Sequence, residues 1–293
     1  KHLKNVWDFK AMISTVFENW KTGLWSEINT ESLEEENRRL KKQLNSKGAD
    51  YPTAKGWQVF QDVQAMINMM TLILPLINEL HSPAMRVRHW VALARVCNVK
   101  AFDPTDAKFT LNDMMALNLH EHFEEISDIV ATSNNELKIE KKLNEIESVW
   151  SEMVLDYVPH KETEMFVPRP SEEVVEGIET HVMELMGIFG QGKSMEYFKD
   201  RVMLWQQTLS TVDDTLRIWM SVSKSWASLE SIFLASADIR SQLPDDTKRF
   251  ESINSEFVEL MKDDINESNC VAVCNIEGRY EALVGMQKKL DIC

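Results

Sequence analysis

Apolar residues recur three and four positions apart along most of the chain, the pattern of helices that each bury one face. Val6, Phe9, Ile13, Val16, Phe17 and Trp20 mark the first such face and predict a helix over 6–22. Asn29 and Thr30 offer a cap for a second helix. Glu31, Glu34, Glu35 and Glu36 stand in its first turns, where the helix dipole favours acid. Leu33, Asn37, Leu40 and Leu44 then follow a 4-3-4 spacing, as in a short coiled-coil seam, and the segment from Lys47 to Pro52 ends it. A long helix is predicted from about Lys55, with Trp57, Phe60, Val63, Ile67, Met70 and Leu74 on its face and a kink at Pro75.

His81-Ser82-Pro83 reads as a turn, Arg88, Trp90, Leu93 and Val96 as the next helix, and Phe102-Asp103-Pro104 as a loop. Further helices are predicted over 109–131, 135–153, 171–187, 194–209, 212–236, 245–262 and 276–292. Residues 154–170 differ. Val154–Pro159 and Met165–Pro168 are short apolar runs around His160-Lys161-Glu162-Thr163-Glu164, the pattern of one small β-hairpin. No strict repeat is visible. The fold class is therefore all-α: an elongated array of antiparallel helical bundles with at most one small β-hairpin.

Composition narrows the alternatives. Only 9 Gly and 8 Pro occur in 293 residues, too few for a turn-rich β-sandwich or a glycine-looped dinucleotide fold. The 44% hydrophobic content excludes a disordered chain. Lys and Arg number 32 against 47 Asp and Glu, and the net charge of −15 opposes nucleic-acid binding. No run of 18 apolar residues is present, and the longest stretch, Met69–Ile77, contains Pro75, so no membrane-spanning helix is expected. The start at Lys1 has no signal-peptide pattern. The helical pattern of Met286 and Leu290 still runs at Cys293, which suggests a segment of a longer protein. Cys97, Cys270, Cys274 and Cys293 lack zinc spacing and are expected to be free cytosolic thiols.

One motif carries candidate chemistry. Gly187-Ile188-Phe189-Gly190-Gln191-Gly192-Lys193-Ser194 matches G-x-x-x-x-G-K-[ST], the loop that cradles nucleotide phosphates. That chemistry needs a strand leading into the glycines and a helix leading out. Here Val174, Ile178, His181, Val182 and Leu185 lead in at helical spacing, so Gly187, Gly192, Lys193 and Ser194 are expected to be a decoy between two helices. His120-Glu121-His122-Phe123-Glu124-Glu125 looks metal-like, but on a helix His122 points away from the face shared by His120 and Glu124, and a solvated polar face is the reading. His89, between Arg86, Arg88 and Trp90, is read as a structural imidazole bonded to backbone rather than an anion site. The nine Trp residues stand mostly at core spacing. No catalytic, cofactor-binding or metal-binding residue is expected.

Three blocks resemble the dynein heavy chain. Pro83-Ala84-Met85-Arg86-Val87-Arg88-His89-Trp90 is similar to that family's P-A-[MI]-R-x-R-H-W segment. Phe109 through Trp150 is similar to the next block, including Leu117-Asn118-Leu119-His120 and Ile139-Glu140-Lys141-Lys142-Leu143. Ile218-Trp219 through Ile232-Phe233 resembles W-x-x-V-Q-x-x-W-x-x-L-E-x-I-F, with Ser223 at the usual Gln, and continues into Asp238-Ile239-Arg240-Ser241-Gln242-Leu243-Pro244. The wording of this block is closer to axonemal outer-arm heavy chains than to the cytoplasmic form.

The resemblance implies the end of the tail over 1–50 and the N-terminal and central part of the linker over 51–293. It implies a non-catalytic helical arch that carries force between a ring of ATPase modules and the cargo-binding tail. Its implied partners are the AAA ring of the same chain and other dynein heavy, intermediate and light chains, with microtubules reached only through the distant motor part. No nucleic acid or membrane is implied. ATP and Mg belong to the downstream ring, and the cell site is the cytoskeleton, in a cilium or flagellum axoneme. Bending is expected at 98–108, 157–170 and above all 187–194. A spectrin-like helical scaffold and a nucleotide-binding protein are the alternatives, and the sequence after Cys293 would separate them.

Overall fold

The computed structural model describes residues 2–161, 165–234, 236–264 and 267–293. The chain divides into two compact units, Lys1–Leu137 and Lys138–Cys293.

In the first unit, α1 (His2–Lys21), α2 (Thr30–Asp50) and α3 (Gln58–Leu80) are the long helices, followed by α4 (Val87–Val96) and α5 (Leu111–Met115). Asn29 caps α2 through its side chain, which accepts from the Ser32 N–H at 3.0 Å. The predicted seam is present: Asn37, Leu40 and Leu44 are buried on the face that packs against α3. Asn37 Nδ2 donates to Thr71 Oγ1 at 3.0 Å and so fixes the register of the pair. At the far end, a Cβ on Gly48 would stand 3.0 Å from both Phe60 Cζ and Lys55 Cε, so α2 is closely packed there.

α3 is the core helix of this unit and runs on through Pro75. By length and composition it is apolar enough to cross a membrane, which the sequence count had not anticipated. Its apolarity is used internally: Val59, Phe60, Val63, Ile67, Met70, Ile73, Leu74, Leu76, Ile77 and Leu80 are all buried. Around its C-terminal end Trp25 stands edge-on to both Trp90 and Phe109, and His81 Nε2 donates to the Trp25 carbonyl at 2.9 Å. Phe102 stacks on Phe109.

Two predicted helix pairs are corrected. The spans 109–131 and 135–153 become α5, a 3₁₀ turn at Leu119–Glu121, and one continuous helix, α6 (Phe123–Glu152). Likewise 194–209 and 212–236 become a single turn, α8 (Lys193–Glu196), and the 35-residue α9 (Lys199–Phe233). Polar residues in the gaps between the predicted spans turn their hydroxyls back into their own helix. Ser133 Oγ donates to the Val130 carbonyl at 2.8 Å, and Thr211 Oγ1 to that of Gln207 at 3.0 Å.

In the second unit, β1 (Tyr157–Pro159) and β2 (Phe166–Pro168) form the expected antiparallel hairpin, with Val158 opposite Val167. Its middle, Glu162–Glu164, lies outside the described residues. α7 (Glu172–Phe189) follows, capped by Ser171, whose hydroxyl accepts from the Val174 N–H at 3.3 Å. α9 spans about 50 Å and is the spine on which α7, α10 (Ala237–Gln242), α11 (Pro244–Asp264), α12 (Cys270–Cys274) and α13 (Arg279–Leu290) pack. α10 and α12 had not been separated from the loops around them. Asn269 ties the unit together: Oδ1 caps α12 and Nδ2 donates to the Trp150 and Ser151 carbonyls at the end of α6. Among the described residues the only strands are those of the hairpin and the rest of the regular structure is helical, as the fold class requires.

Candidate functional site

The residues of the phosphate-loop pattern occupy a helix–turn–helix. Gly187 lies inside α7, and Gly190 closes that helix in a right-handed helical conformation. Gln191 N–H donates to the Ile188 carbonyl at 3.0 Å. Gly192 has φ +59° and ψ −126°, a combination open essentially to glycine alone. Lys193 is exposed, whereas Ser194 faces inward and is buried. A phosphate cradle aims successive N–H groups from a strand end toward an open helix start. Here a helix leads in, and the turn is closed by its own bonds, Met195 N–H to the Gly192 carbonyl and Phe198 N–H to that of Met195.

The turn joins α7 to an antiparallel α9. Residues 175–183 face 213–220 across a shared groove, while Phe189 at the turn end stands by Asp200 and Met203. Leu185, Ile188, Met195, Phe198 and Val202 belong to one buried cluster. A bend at 187–194, expected from its glycines, would have to shift these packed side chains against one another.

Charged pairs brace the helices elsewhere. Arg201 on α9 forks onto Glu147 of α6, with Nε and Nη2 at 2.7 and 2.6 Å from its two oxygens, and Trp205 Nε1 donates to the same carboxylate. The Arg201 bonds hold the Glu147 carboxyl below its usual range. The hairpin is seated on α9 by Lys161 and His160, both directed at Glu230, with the His160 ring 4.6 Å from that of Trp226. Burial pushes the Glu230 carboxyl up, but these two partners outweigh it and the net shift is downward.

In the first unit the His89 expectation is met. Its Nδ1 accepts from the Arg86 N–H at 3.0 Å, so the ring proton stands on Nε2, which donates to Glu136 Oε2 at 3.0 Å. Arg88 Nε donates to the same oxygen at 2.7 Å. Burial holds the His89 ring below its usual pKa; Glu136 opposes this, and Arg88 and Arg86 add to it. This latch joins α4 to α6. Glu136 was not singled out from the sequence, since 47 residues separate it from His89. A buried-periodicity position held by a glutamate was the signal.

His120 and His122 do not share one helix: the first lies within the 3₁₀ turn, and the second precedes α6. Among the described residues no group of three or more His, Cys, Asp or Glu side chains is arranged to hold a metal ion. None of the four cysteines is in a disulfide. Five of the nine Trp residues, Trp25, Trp90, Trp150, Trp219 and Trp226, are buried packing residues, and Trp150 Nε1 donates to His181 Nδ1 at 2.9 Å inside the second core.

What these pieces define is a helical scaffold segment, braced by buried aromatic and charged pairs. Residues 1–293 match the family model described as dynein heavy chain, N-terminal region 2. The chain is 35% identical over 99% of its length to the ciliary dynein beta chain of Heliocidaris crassispina. It is 35% identical over its whole length to the flagellar outer-arm dynein beta chain of Chlamydomonas reinhardtii, and 35% over 99% to dynein axonemal heavy chain 17 of Homo sapiens. It spans 6% of the length of each of these relatives. The chain belongs to the dynein heavy-chain family.

Proposed function

We propose that this chain is a non-catalytic mechanical segment of an axonemal dynein heavy chain, transmitting force between the ATPase ring and the tail in ciliary or flagellar beating. On this reading residues 1–50 end the tail, and 51–293 form the N-terminal and central linker. Its partners are the AAA ring of the same heavy chain and the other heavy, intermediate and light chains; microtubules are reached only through the motor part. ATP and Mg act in the ring, and Gly187, Gly192, Lys193 and Ser194 serve as a turn between helices. The outer arm is the favoured subtype, as the likeness to the flagellar outer-arm beta chain supports.

The observation that carries the reading is the family match across the whole chain, to the N-terminal region 2 of the heavy chain. The geometry of 187–198 supports it, because a helix stands where a phosphate cradle needs a strand. Force passes through close-packed helices with little compression. The α7–α9 hairpin, with its shared core, acts as one stiff body in this proposal.

The test is ATP turnover by the full heavy chain carrying Lys193→Ala and Ser194→Ala together. A nucleotide site would lose much of its phosphate binding when both side chains are removed. The expected result is unchanged turnover and unchanged ATP affinity. A loss of ten-fold or more in either refutes the reading.

A further inference from the structure

α7 is apolar on two faces. Val174, Ile178, His181, Leu185 and Ile188 turn into the core. A second set, Val175, Val182, Met183 and Met186, falls roughly 80–180° around the helix from the first, and of these Val175, Met183 and Met186 are exposed, Met183 at 72%. Val175, Val182 and Met183 of this face, with Leu216 and Met220 of α9, line a groove of about 670 Å³. Monomeric proteins rarely leave such a continuous apolar strip to water, and its methionines are side chains that reshape around an incoming group.

The charge around the groove selects the occupant. α7 carries Glu172, Glu173, Glu176, Glu179 and Glu184 and no Lys or Arg. Glu184 is compensated by Lys142 at 2.9 Å. On the opposite wall Asp213 stands against Arg217, which is bound to it at 2.8 Å and is the single cation among the lining residues. The groove is thus apolar at its floor, its lining carries two acids, Glu179 and Asp213, against one cation, Arg217, and α7 beside it carries glutamates but no cation. From Val175 to Met183 it runs about 12 Å along the helix axis, the reach of apolar side chains at i, i+4 and i+7 of a docked helix.

We propose that this groove receives a basic amphipathic helix of another polypeptide, with two or three large apolar anchors on its inner face and Lys or Arg on its flanks. The proposal stands on the groove alone and does not depend on the force-transmitting role.

The experiment uses the full-length heavy chain and a fluorescent 18-residue helical peptide with Leu at i, i+4 and i+7 and Lys on both flanks. A second peptide carries Glu in place of every Lys. Fluorescence anisotropy should show saturable binding of the Lys peptide that weakens with added salt, and at least about ten-fold weaker binding of the Glu peptide. Met183→Asp should weaken the Lys peptide about five-fold or more. Because Met183 is exposed, the variant should keep its helical circular dichroism. Glu176→Lys with Glu179→Lys should weaken the Lys peptide and flatten the salt dependence. Equal binding of the two peptides marks an unselective apolar cleft and overturns the proposal. So does an absence of binding by either peptide, or an unchanged affinity in Met183→Asp.

Discussion

Glu136 is one of the few buried polar residues of the first unit. Its side chain is 8% exposed, and one carboxylate oxygen receives both Arg88 and His89. Replacing it by Ala affects the two partners differently. Arg88 is about one-third exposed and can turn to water, so its share of the loss is about 1 kcal/mol after solvent screening. His89 is 6% exposed, so its Nε2–H is left without a partner in the interior, at about 1–3 kcal/mol. The sum is about 2–4 kcal/mol. Glu136→Gln keeps the shape and an acceptor oxygen and should lose about half as much. Urea unfolding followed by Trp fluorescence reads both, because Trp90 and Trp25 lie in the same core. A loss below about 0.5 kcal/mol for Ala, or equal losses for Ala and Gln, refutes the reasoning.

The same latch gives a pH dependence. The folded chain holds His89 below its ordinary pKa, so on acidification the unfolded chain takes up the proton first. The His89 contribution is therefore complete above the unfolded value of about 6.5 and is lost as pH falls through and below it. Protonation at Nδ1 also removes the acceptor for the Arg86 N–H. Urea midpoints measured at stepwise lower pH should decline in this window, and flattening of that decline by His89→Gln is the check. Gly187→Ala should stabilise by about 0.5–1 kcal/mol, since its Cβ position is open and helical. Gly192→Ala should destabilise by about 1–3 kcal/mol through its positive φ; thermal melts with the opposite order would contradict the helix–turn–helix geometry. Ser223 buries a hydroxyl that has no partner among the described residues, so Ser223→Ala should be neutral or stabilise by about 1 kcal/mol; clear destabilisation in a melt would reveal a bond to it.

Much of the fold was legible because helical spacing is a local signal. Val6, Phe9, Ile13 and Phe17 are all buried, as their spacing required. The hairpin was legible from two short apolar runs that each end in proline. Ser133 and Thr211 fall in gaps between predicted helices that the structure closes: a hydroxyl can break a helix or bond back to its own turn, and here both bond back. The mild apolarity of α3, diluted by Asn68, Thr71 and Asn78, hid its passing a spanning-length test until its boundaries were fixed. The phosphate-loop pattern was discounted on the helical spacing ahead of it, and α7 occupies that stretch. The His89–Glu136 and Arg201–Glu147 pairs were not legible, since their partners lie 47 and 54 residues apart and only the folded chain brings them together.

The central claim is that residues 51–293 carry force and do no chemistry. The most direct measurement pairs ATP turnover with microtubule gliding for the full heavy chain and for a form lacking these residues. The account predicts that turnover persists while gliding stops. Gliding at the full-length speed, or loss of turnover together with gliding, would contradict it.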